Sequence, residues 1–289
     1  MKTILLTGGT GFLGSNLLRK LLAENYKIVI LKRTFSDTWR IHDIMDKVKY
    51  YDIDVTSLEK PFRENKINIV IHTATNYGRQ GQKTTEILKD NLLFPLELLE
   101  ISSFFNTDTF FNTDTLQYSY LNDYTLSKKQ FVDWGKKFAK AGKLKFINLK
   151  LEHLYGPLDD ENKFVPWLIN QLNNDVPEIK LTSGLQKRDF IYIEDVVSAY
   201  LQIMMSNTGD SFQEFEVGTG KSVRLKEFIL LIKKLMEEKT KHKLSTKLLF
   251  GALPMREGEP VEIKADNLKL LSLGWKPKHN LIEGLQKIL

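Results

Sequence analysis

Tyr124 and Lys128 stand four residues apart in "DYTLSKKQFVDW", a stretch with the apolar spacing of a helix. Residues at this spacing share a helix face, so the phenol and the ammonium are expected to lie side by side. A nearby ammonium lowers the pKa of a phenol, which is ordinarily about 10. A phenol tuned in this way can give or take a proton at a carbonyl or an alcohol. Since any helix can hold such a pair by accident, the pair needs support from the rest of the chain.

A short duplication precedes this pair, because "FNTDTFFNTDTL" repeats the same five residues at 105–109 and 111–115. The first copy follows a predicted long helix and is expected to form the connection and the beginning of a strand. The second copy is expected at the carboxyl end of that strand, where ligands bind in open α/β sheets. Its threonines, Thr113 and Thr115, share a strand face. Either hydroxyl is therefore a candidate to act beside Tyr124.

Several glycines lie near the start of the chain, in "TGGTGFLGSNLL", where a predicted strand is followed by a predicted helix. Gly8 permits the sharp turn, Gly11 lets the backbone approach a pyrophosphate, and Gly14 lets helix and strand pack closely. The helix N-terminus adds amide hydrogens and a partial positive charge. The spacing predicts a dinucleotide site, to which the intervening residues also contribute: Thr10, Phe12 and Leu13.

The predicted second strand ends in "VILKRTF", with Lys32 and Arg33 where NAD binders usually carry an acidic residue. Positive side chains suit a 2′-phosphate, so NADP is favoured over NAD. The alternative is a solvated lysine and arginine. After the third strand, Asp52 and Ile53 are expected to meet the adenine edge.

The fourth predicted strand, "INIVIHTAT", ends at the expected dinucleotide crevice. Thr73, Ala74 and Thr75 are therefore further cofactor-binding candidates. His72 could act as a base there, but packing is the more ordinary role of such a residue.

The composition of the chain limits the kinds of ligand and partner that it is expected to bind. The 289 residues carry a net charge of +6 with a pI near 9.1, and the cations are scattered, which favours anionic ligands. A basic stripe interleaved with aromatics is not evident, so nucleic acid is not expected. The chain has no cysteine and no metal-binding pattern, so neither a disulfide nor a metal site is expected. Since no apolar run approaches the roughly 20 residues of a membrane span and no signal peptide is recognisable, we expect a cytoplasmic protein without a membrane partner.

Predicted strands and helices alternate through the first half, which indicates a parallel sheet with right-handed crossovers. The fold class is therefore α/β, a Rossmann-type doubly wound sheet with a smaller mixed α/β C-terminal part. We expect a cofactor-binding domain at 1–155, to which segments near 185–205 return. From Gly156 the pattern loosens into shorter elements, which predicts a smaller substrate-holding domain at 156–289.

Several motifs together resemble a known family: the glycine turn, "IHTAT", Asn91, the tyrosine–lysine pair, "LKLEHLYGP", "RDFIYIED" and "REGEPVEI" with "LGWKP". The chain resembles, nearly end to end, the extended short-chain dehydrogenases/reductases (the NAD-dependent epimerase/dehydratase family) that act on nucleotide sugars. "YGR" at 77–79 and "LTSGLQKRDFIYIED" are similar to the 4-ketoreductases of the CDP-paratose and CDP-abequose synthase type. Those enzymes reduce a CDP-4-keto-3,6-dideoxyhexose with NADPH in surface polysaccharide (O-antigen) synthesis.

The resemblance implies a catalytic triad of Thr115, Tyr124 and Lys128. The family's aromatic-to-hydroxyl spacing matches Thr115, with Thr113 as the alternative, although the link to Tyr124 is shorter than in relatives. Tyr124 would donate the proton to the forming alkoxide, Thr115 would hydrogen-bond the same oxygen, and Lys128 would hold the nicotinamide ribose. Dehydratases of the family have Asp-Glu after the threonine. Leu116 and Gln117 stand here, which argues against dehydration.

The resemblance also implies a nucleotide-sugar site in the second domain. Arg188 and Arg256 match positions that clamp the diphosphate, and the arginine fork suits phosphate. The alternative is a surface ion pair for each. Further substrate-binding candidates are Arg79, His153, Lys163 and Lys180, with Phe164 beside them. Asn91 is expected to fix loops by buried hydrogen bonds.

Partners and alternatives follow from the same resemblance. A homodimer is expected through a four-helix bundle formed by the helices at 85–103 and 124–141. An NAD-dependent nucleotide-sugar 4-epimerase and a catalytically inactive, cofactor-binding regulatory protein are the alternative functions. Lys32 and Arg33 disfavour the first, and the intact tyrosine–lysine pair disfavours the second.

Overall fold

Strands and helices alternate along the chain as the hydrophobic pattern predicted. The structure, a computed structural model, describes residues 2–206 and 209–289. The strands are β1 (Thr3–Thr7), β2 (Lys27–Lys32), β3 (Lys49–Asp52), β4 (Ile69–His72), β5 (Thr109–Thr115), β6 (Lys145–Leu151), β7 (His153–Tyr155), β8 (Glu178–Leu181), β9 (Lys187–Arg188), β10 (Phe190–Tyr192), β11 (Phe212–Val217), β12 (Val223–Arg224) and β13 (Lys247–Phe250). The α-helices are α1 (Phe12–Ala23), α2 (Lys60–Glu64), α3 (Thr84–Leu88), α4 (Phe94–Phe104), α5 (Asp123–Lys140), α6 (Phe164–Asn173), α7 (Ile193–Met205), α8 (Leu225–Thr240), α9 (Leu268–Ser272) and α10 (Leu281–Gln286).

The main sheet has seven strands in the order β11-β6-β5-β4-β1-β2-β3. The pairs β1–β2, β2–β3, β1–β4 and β4–β5 are parallel. From β1 the chain moves outward to β3 and then returns to β4 on the other side, which makes the β1–β4 junction a switch point. This arrangement confirms the predicted Rossmann-type fold class, in which ligands bind beyond the carboxyl ends of the strands at such a junction.

The strand registers align the carboxyl ends of β1 and β4 with Asn112 of β5, three residues before that strand ends. Thr7 of β1 is level with His72 of β4, and His72 is level with Asn112 of β5. The segments that follow these residues therefore emerge on one edge of the sheet. They are the glycine turn, the stretch 73–79 and the end of the second repeat copy.

Helix α5 is held tightly against the sheet by an aromatic core. Phe110 and Phe146 stack with centroids 5.6 Å apart, and Phe131 of α5 meets Phe146 edge-on at 5.7 Å. All three rings are essentially inaccessible to solvent. At Gly135 the helix passes so close that an added Cβ would lie 2.2 Å from the Phe146 ring. A glycine therefore sets the approach of the helix that carries Tyr124 and Lys128.

The two copies of the repeated pentapeptide fold differently. In the first copy Asn106 has a φ of 55° and the segment turns out of α4 toward the start of β5. In the second copy Asn112 is buried inside β5. Asp108 is exposed, whereas its counterpart Asp114 is buried. The same residues thus provide a connection once and a strand end once.

The helix predicted across 85–103 is interrupted. A π-helical segment at Lys89–Leu93 separates α3 from α4 and contains the buried Asn91. Pro95 lies in the first turn of α4, a position where its missing N–H costs nothing. Single π-helical turns of this kind re-aim a side chain within an otherwise helical stretch.

The chain divides into two compact units. The first comprises Met1–Lys150 with Ile203–Phe215, and the second comprises Leu151–Gln202 with Glu216–Leu289. The sequence pattern placed the boundary at residue 155 and the returning segment near 185–205. The second unit contains the strand pairs β7–β10, β9–β12 and β8–β13 beside its helices. Within residues 2–206 and 209–289, no helix combines the length and apolar character that a membrane crossing requires.

Candidate active site

The glycine turn forms a cradle in which a side chain at Gly8 or Gly14 would clash with neighbouring backbone atoms. Gly8 has a φ of 68°, and a Cβ there would lie 2.7 Å from the Ala74 nitrogen. A Cβ on Gly14 would lie 2.0 Å from the Gly8 carbonyl oxygen, while Gly11 precedes the first residue of α1. The first turn of α1 carries no acidic residue. This cradle fits the pyrophosphate of a dinucleotide, which needs close backbone approach and a positive helix end. The intervening Thr10 and Leu13 are partly exposed and Phe12 is buried.

The segment after β4 is tied to the end of β1. The Thr73 hydroxyl donates to the Thr7 carbonyl oxygen over 2.8 Å, and the Ala74 amide donates to Thr7 Oγ1 over 3.3 Å. The Thr75 hydroxyl donates to Asn91 Oδ1. The predicted cofactor residues Thr73, Ala74 and Thr75 therefore sit beside the glycine cradle with fixed backbones.

His72 is fully buried, and its Nδ1 lies 2.8 Å from Thr7 Oγ1. Three aromatic rings surround its imidazole at centroid distances of 5.9 to 6.3 Å: Phe94, Phe110 and Phe131. Burial, followed by the charge of Lys128, holds the pKa of His72 well below its ordinary value of 6.5. An imidazole that is fully buried among three aromatic rings suits packing rather than service as a base.

Lys32 and Arg33 occupy different environments at the end of β2. Lys32 forms an ion pair with Asp52, and only 10% of its side chain is exposed. Arg33 is 48% exposed and reaches Asp90 over 3.2 Å. Ile53 hydrogen-bonds the Lys32 carbonyl through its amide. Of the two cations, Arg33 is therefore the one whose charge faces solvent, and the predicted adenine-edge residue Asp52 already has a partner.

Thr115 and Tyr124 meet at the carboxyl edge of the sheet. Thr115 is the last residue of β5, and its side chain lies near enough to the Tyr124 phenol to lower its pKa. Asn122 begins α5 by accepting the Thr125 amide over 2.9 Å, which fixes Tyr124 in the first helical turn. Of the two threonines left open by the sequence, Thr115 is thus the one that acts on the phenol.

The pKa of Tyr124 is raised well above 10, chiefly by burial and then by Tyr77 and Asp114. The hydrogen bond with Thr115 and the charge of Arg79 act in the opposite direction. This is contrary to the lowering by Lys128 that the four-residue spacing suggested. A raised pKa keeps the phenol protonated at neutral pH, the form that can donate a proton.

Lys128 lies one helical turn beyond Tyr124 and is only 2% exposed. Its pKa is lowered from 10.5 to about 8 because burial outweighs the raising effect of the Asp114 charge, and the charge of Lys129 also lowers it. The ammonium form is costly in such a place because burial penalises charge. A buried lysine at the crevice edge is suited to hold polar oxygens of a ligand.

Asn91 links the loop after β4 to α5. Its Nδ2 donates to the Asn76 carbonyl oxygen over 2.8 Å and to Ser127 Oγ over 3.2 Å. Its Oδ1 accepts the Asn76 amide over 2.8 Å. The structure thus gives Asn91 the loop-fixing hydrogen bonds that the sequence predicted for it.

Tyr77 is a neighbour that the sequence did not single out as a site residue. Its ring lies 5.0 Å from that of Tyr124, and the Arg79 guanidinium lies 4.8 Å from the Tyr77 centroid. Tyr77 and Arg79 are both exposed. Their loop, which follows β4, therefore brings an aromatic ring and a cation to the catalytic candidates.

In the second unit, Arg188 is buried rather than on the surface. Its guanidinium donates to Glu259 over 2.6 Å and to the Pro260 carbonyl oxygen over 3.0 Å. Arg256 is exposed and lies three residues before Glu259 in the same loop. The carboxylate of the neighbouring Asp189 accepts the amides of Thr219 and Gly220.

The remaining substrate-binding candidates of this unit have varied surroundings. His153 Nδ1 lies 2.7 Å from Glu152, whose carboxylate is almost wholly buried. Lys163 is paired with Asp159 over 2.7 Å. Lys180 is exposed on β8. In the part of the chain that the structure describes, no group of three or more His, Cys, Asp or Glu side chains could hold a metal ion.

Comparison with known proteins shows which family the chain belongs to. The sequence profile of the NAD dependent epimerase/dehydratase family matches residues 4–218. CDP-abequose synthase of Salmonella muenchen is 37% identical over 295 positions, covering 100% of this chain and 97% of the relative. CDP-abequose synthase of Salmonella typhimurium is 32% identical, with 99% and 97% covered. UDP-glucose 4-epimerase of Thermotoga maritima, solved with UDP-glucose, superposes with a TM-score of 0.84 at 23% identity, covering 99% and 96% of the two chains, which shows the fold. The resemblance predicted from the motifs is thereby confirmed: the chain belongs to the NAD-dependent epimerase/dehydratase family.

Proposed function

We propose that this chain is an NADPH-dependent 4-ketoreductase of a CDP-linked 3,6-dideoxyhexose, acting in the synthesis of a surface polysaccharide. The observation that carries the proposal is the placement of Thr115 at the end of β5 near the phenol of Tyr124, with the buried Lys128 one helical turn away. The full-length similarity to CDP-abequose synthases supports the substrate class.

The cradle of Gly8, Gly11 and Gly14 would hold the pyrophosphate of the cofactor, and the buried Lys128 would hold its nicotinamide ribose. NADPH, when bound, supplies the hydride for the C4 carbonyl carbon of the sugar. Tyr124 donates its proton to the C4 oxygen as negative charge develops there. Thr115 hydrogen-bonds the same oxygen, which stabilises that charge as an oxyanion donor does. The products are the 4-hydroxy sugar and the oxidised cofactor.

The preference for NADPH is assigned to Arg33 rather than to Lys32. Arg33 is exposed and its partner Asp90 lies at 3.2 Å, a contact that a 2′-phosphate could replace. Lys32 is enclosed and neutralised by Asp52. An exposed ion pair is weak, so exchanging Asp90 for a phosphate costs little.

The diphosphate site is assigned to Arg188 and Arg256 of the second unit. Arg188 is already ordered by two carbonyl oxygens and by Glu259. Arg256 stands exposed on the loop that carries Glu259. His153, Lys163, Lys180 and Arg79 remain proposed substrate contacts.

A homodimer through α4 and α5 remains part of the proposal. Phe131 of α5 is fully buried in the core, whereas Trp134 is 39% exposed. On the neighbouring helical stretch, Leu93 and Phe104 are exposed. These three apolar side chains would be covered by the partner subunit.

The proposal is tested by incubating the purified protein with CDP-4-keto-3,6-dideoxyglucose and either NADPH or NADH. We expect NADPH to be consumed in step with formation of a CDP-3,6-dideoxyhexose, and Tyr124→Phe to abolish this. Tightly held NAD with interconversion of 4-epimers, and no net cofactor consumption, would instead establish the epimerase. Cofactor binding without either reaction, unchanged in Tyr124→Phe, would identify a regulatory protein.

A further inference from the structure

Asp114 is a buried carboxylate directly beside the candidate catalytic threonine. It is 3% exposed, and its Oδ1 accepts the Thr115 amide over 2.7 Å. Its Oδ2 accepts from Lys129 Nζ over 2.8 Å and from Asn148 Nδ2 over 3.1 Å. Each carboxylate oxygen therefore has a partner, as a buried charge requires.

Lys129 completes a clamp on the backbone of Thr115. Besides its ion pair with Asp114, its ammonium donates to the Thr115 carbonyl oxygen. The amide of Thr115 is thus held by Asp114 and its carbonyl by Lys129. Since Lys129 lies on α5, the clamp joins the end of β5 to the helix that carries Tyr124. The relative placement of the two hydroxyls depends on this junction.

The same carboxylate acts on Lys128 through its charge. Asp114 stabilises the Lys128 ammonium, whereas the neighbouring Lys129 destabilises it. The charge of Lys128 also acts on His72 of β4, whose pKa it lowers together with burial. Around Asp114 itself, Glu214 is linked through Asn148, and Glu214 is paired with Lys150.

We propose that Asp114 and Lys129 are positioning residues that hold the amide and the carbonyl of Thr115 and so fix the end of β5 against the helix that carries Tyr124. This inference deepens the proposed reductase function and rests on it for its effect on turnover. It also gives a role to Asp114 that differs from that of the acid in dehydratases. Because its carboxylate is enclosed by Thr115, Lys129 and Asn148, it is not free to reach a sugar.

Two substitutions separate positioning from mere structural support, because they change the charge near Lys128 in opposite senses. Asp114→Asn removes a negative charge, which destabilises the protonated form of Lys128. Lys129→Met removes a positive charge, which stabilises the protonated form of Lys128. Both substitutions loosen the clamp on Thr115, and both should lower kcat by roughly 10- to 100-fold, as expected for the loss of charged hydrogen bonds. The KM for NADPH should change little.

The deciding readout is the titration of Lys128, followed by NMR of lysine labelled at Cε and assigned with Lys128→Met. A lysine that titrates near 8 is separated from ordinary surface lysines near 10.5. We expect its midpoint to fall by roughly one pH unit in Asp114→Asn and to rise in Lys129→Met. The alkaline limb of the kcat profile should move in the same directions.

Midpoints that move together, or not at all, would show that Asp114 and Lys129 are not held beside Lys128 and would overturn the clamp. An unchanged kcat in both variants would overturn the positioning role. If Asp114→Asn does not fold, the rise expected in Lys129→Met still decides the matter. The NMR titration needs no substrate, so a protein with opposite midpoint shifts but no reductase activity would refute the proposed function and leave the clamp intact.

Discussion

The side chain of Thr115, the last residue of a strand, lowers the pKa of the phenol of Tyr124, which lies in the first turn of a helix. The intervening segment contains a short 3₁₀ turn at Ser119–Leu121. The amide of Gln117 donates to Thr115 Oγ1 over 3.2 Å, which orients the hydroxyl. A strand end and a helix start thus bring together the two hydroxyl groups that an acid and an oxyanion donor would require.

The choice between the two threonines is tested by matched valine substitutions. Thr115→Val should lower kcat by about 10- to 100-fold, because one hydrogen bond to the developing alkoxide is lost. Thr113→Val is the control on the same strand and should leave kcat within about threefold, a change of well under 1 kcal/mol. Steady-state rates with NADPH and the keto sugar measure both. A larger loss in Thr113→Val would reverse the assignment.

The buried Lys128 should lower the free energy of unfolding at neutral pH. Its pKa falls from 10.5 to about 8 on folding, so the unfolded chain binds its proton more tightly, and stability rises with pH between these values. Lys128→Met should therefore be more stable than the parent at pH 7 by about 3 kcal/mol, the equivalent of the pKa difference. Urea unfolding at pH 7 and 9.5 measures the gap.

That gap should shrink by about half or more at pH 9.5, where the folded protein no longer holds the Lys128 proton. The comparison removes other alkaline effects because both proteins share them. A parent that is more stable than Lys128→Met at pH 7, or a gap that does not vary with pH, would contradict the burial of a charged lysine.

Cofactor preference is expected to reside in Arg33. Arg33→Ala should weaken NADPH binding roughly 10- to 100-fold, the loss of one charge-assisted contact, and leave NADH binding nearly unchanged. Lys32→Met is the matched control, since its charge is already paired with Asp52. Titration of each protein with both cofactors gives the four affinities. A loss of preference in Lys32→Met but not in Arg33→Ala would show that the enclosed lysine reads the phosphate.

Gly135→Ala tests how closely α5 must approach the sheet. Alanine favours helix over glycine by about 1 kcal/mol. The added methyl would nevertheless meet the buried Phe146 ring at 2.2 Å, so the variant should lose about 1–3 kcal/mol of stability by overpacking. Chemical denaturation measures this change. Gly142→Ala offers a contrast, since a Cβ there meets nothing within 4 Å and its φ of 68° is the source of any cost. A stabilised Gly135→Ala would show that the helix can move outward.

The repeated pentapeptide shows which parts of the site the sequence could predict. The strand at 109–115 was predictable because its position between two helical patterns distinguishes the second copy from the first. The rule that ligands meet the carboxyl ends of strands placed the second copy beside Tyr124, and the resemblance to the family then favoured Thr115 over Thr113. Local propensity could not separate the copies, since both have the same residues, and packing makes Asp108 exposed and Asp114 buried.

The partners of the charged residues were not predictable in the same way. Lys32 and Asp52 are brought together by the pairing of β2 with β3, and Arg188 meets Glu259 across 71 residues. Such contacts depend on tertiary geometry rather than on spacing along the chain. For the same reason the raised pKa of Tyr124, which arises from burial, could not be read from its distance to Lys128.

The most direct test of the reductase is to follow deuterium from NADPH labelled at C4 of the nicotinamide. Incubation with CDP-4-keto-3,6-dideoxyglucose should give a CDP-3,6-dideoxyhexose with one deuterium at sugar C4 and one oxidised cofactor for each sugar formed. The mass and the NMR spectrum of the product measure both. A product without deuterium, or 4-epimers interconverted by cofactor that never leaves the protein, would contradict hydride transfer from NADPH as the function of this site.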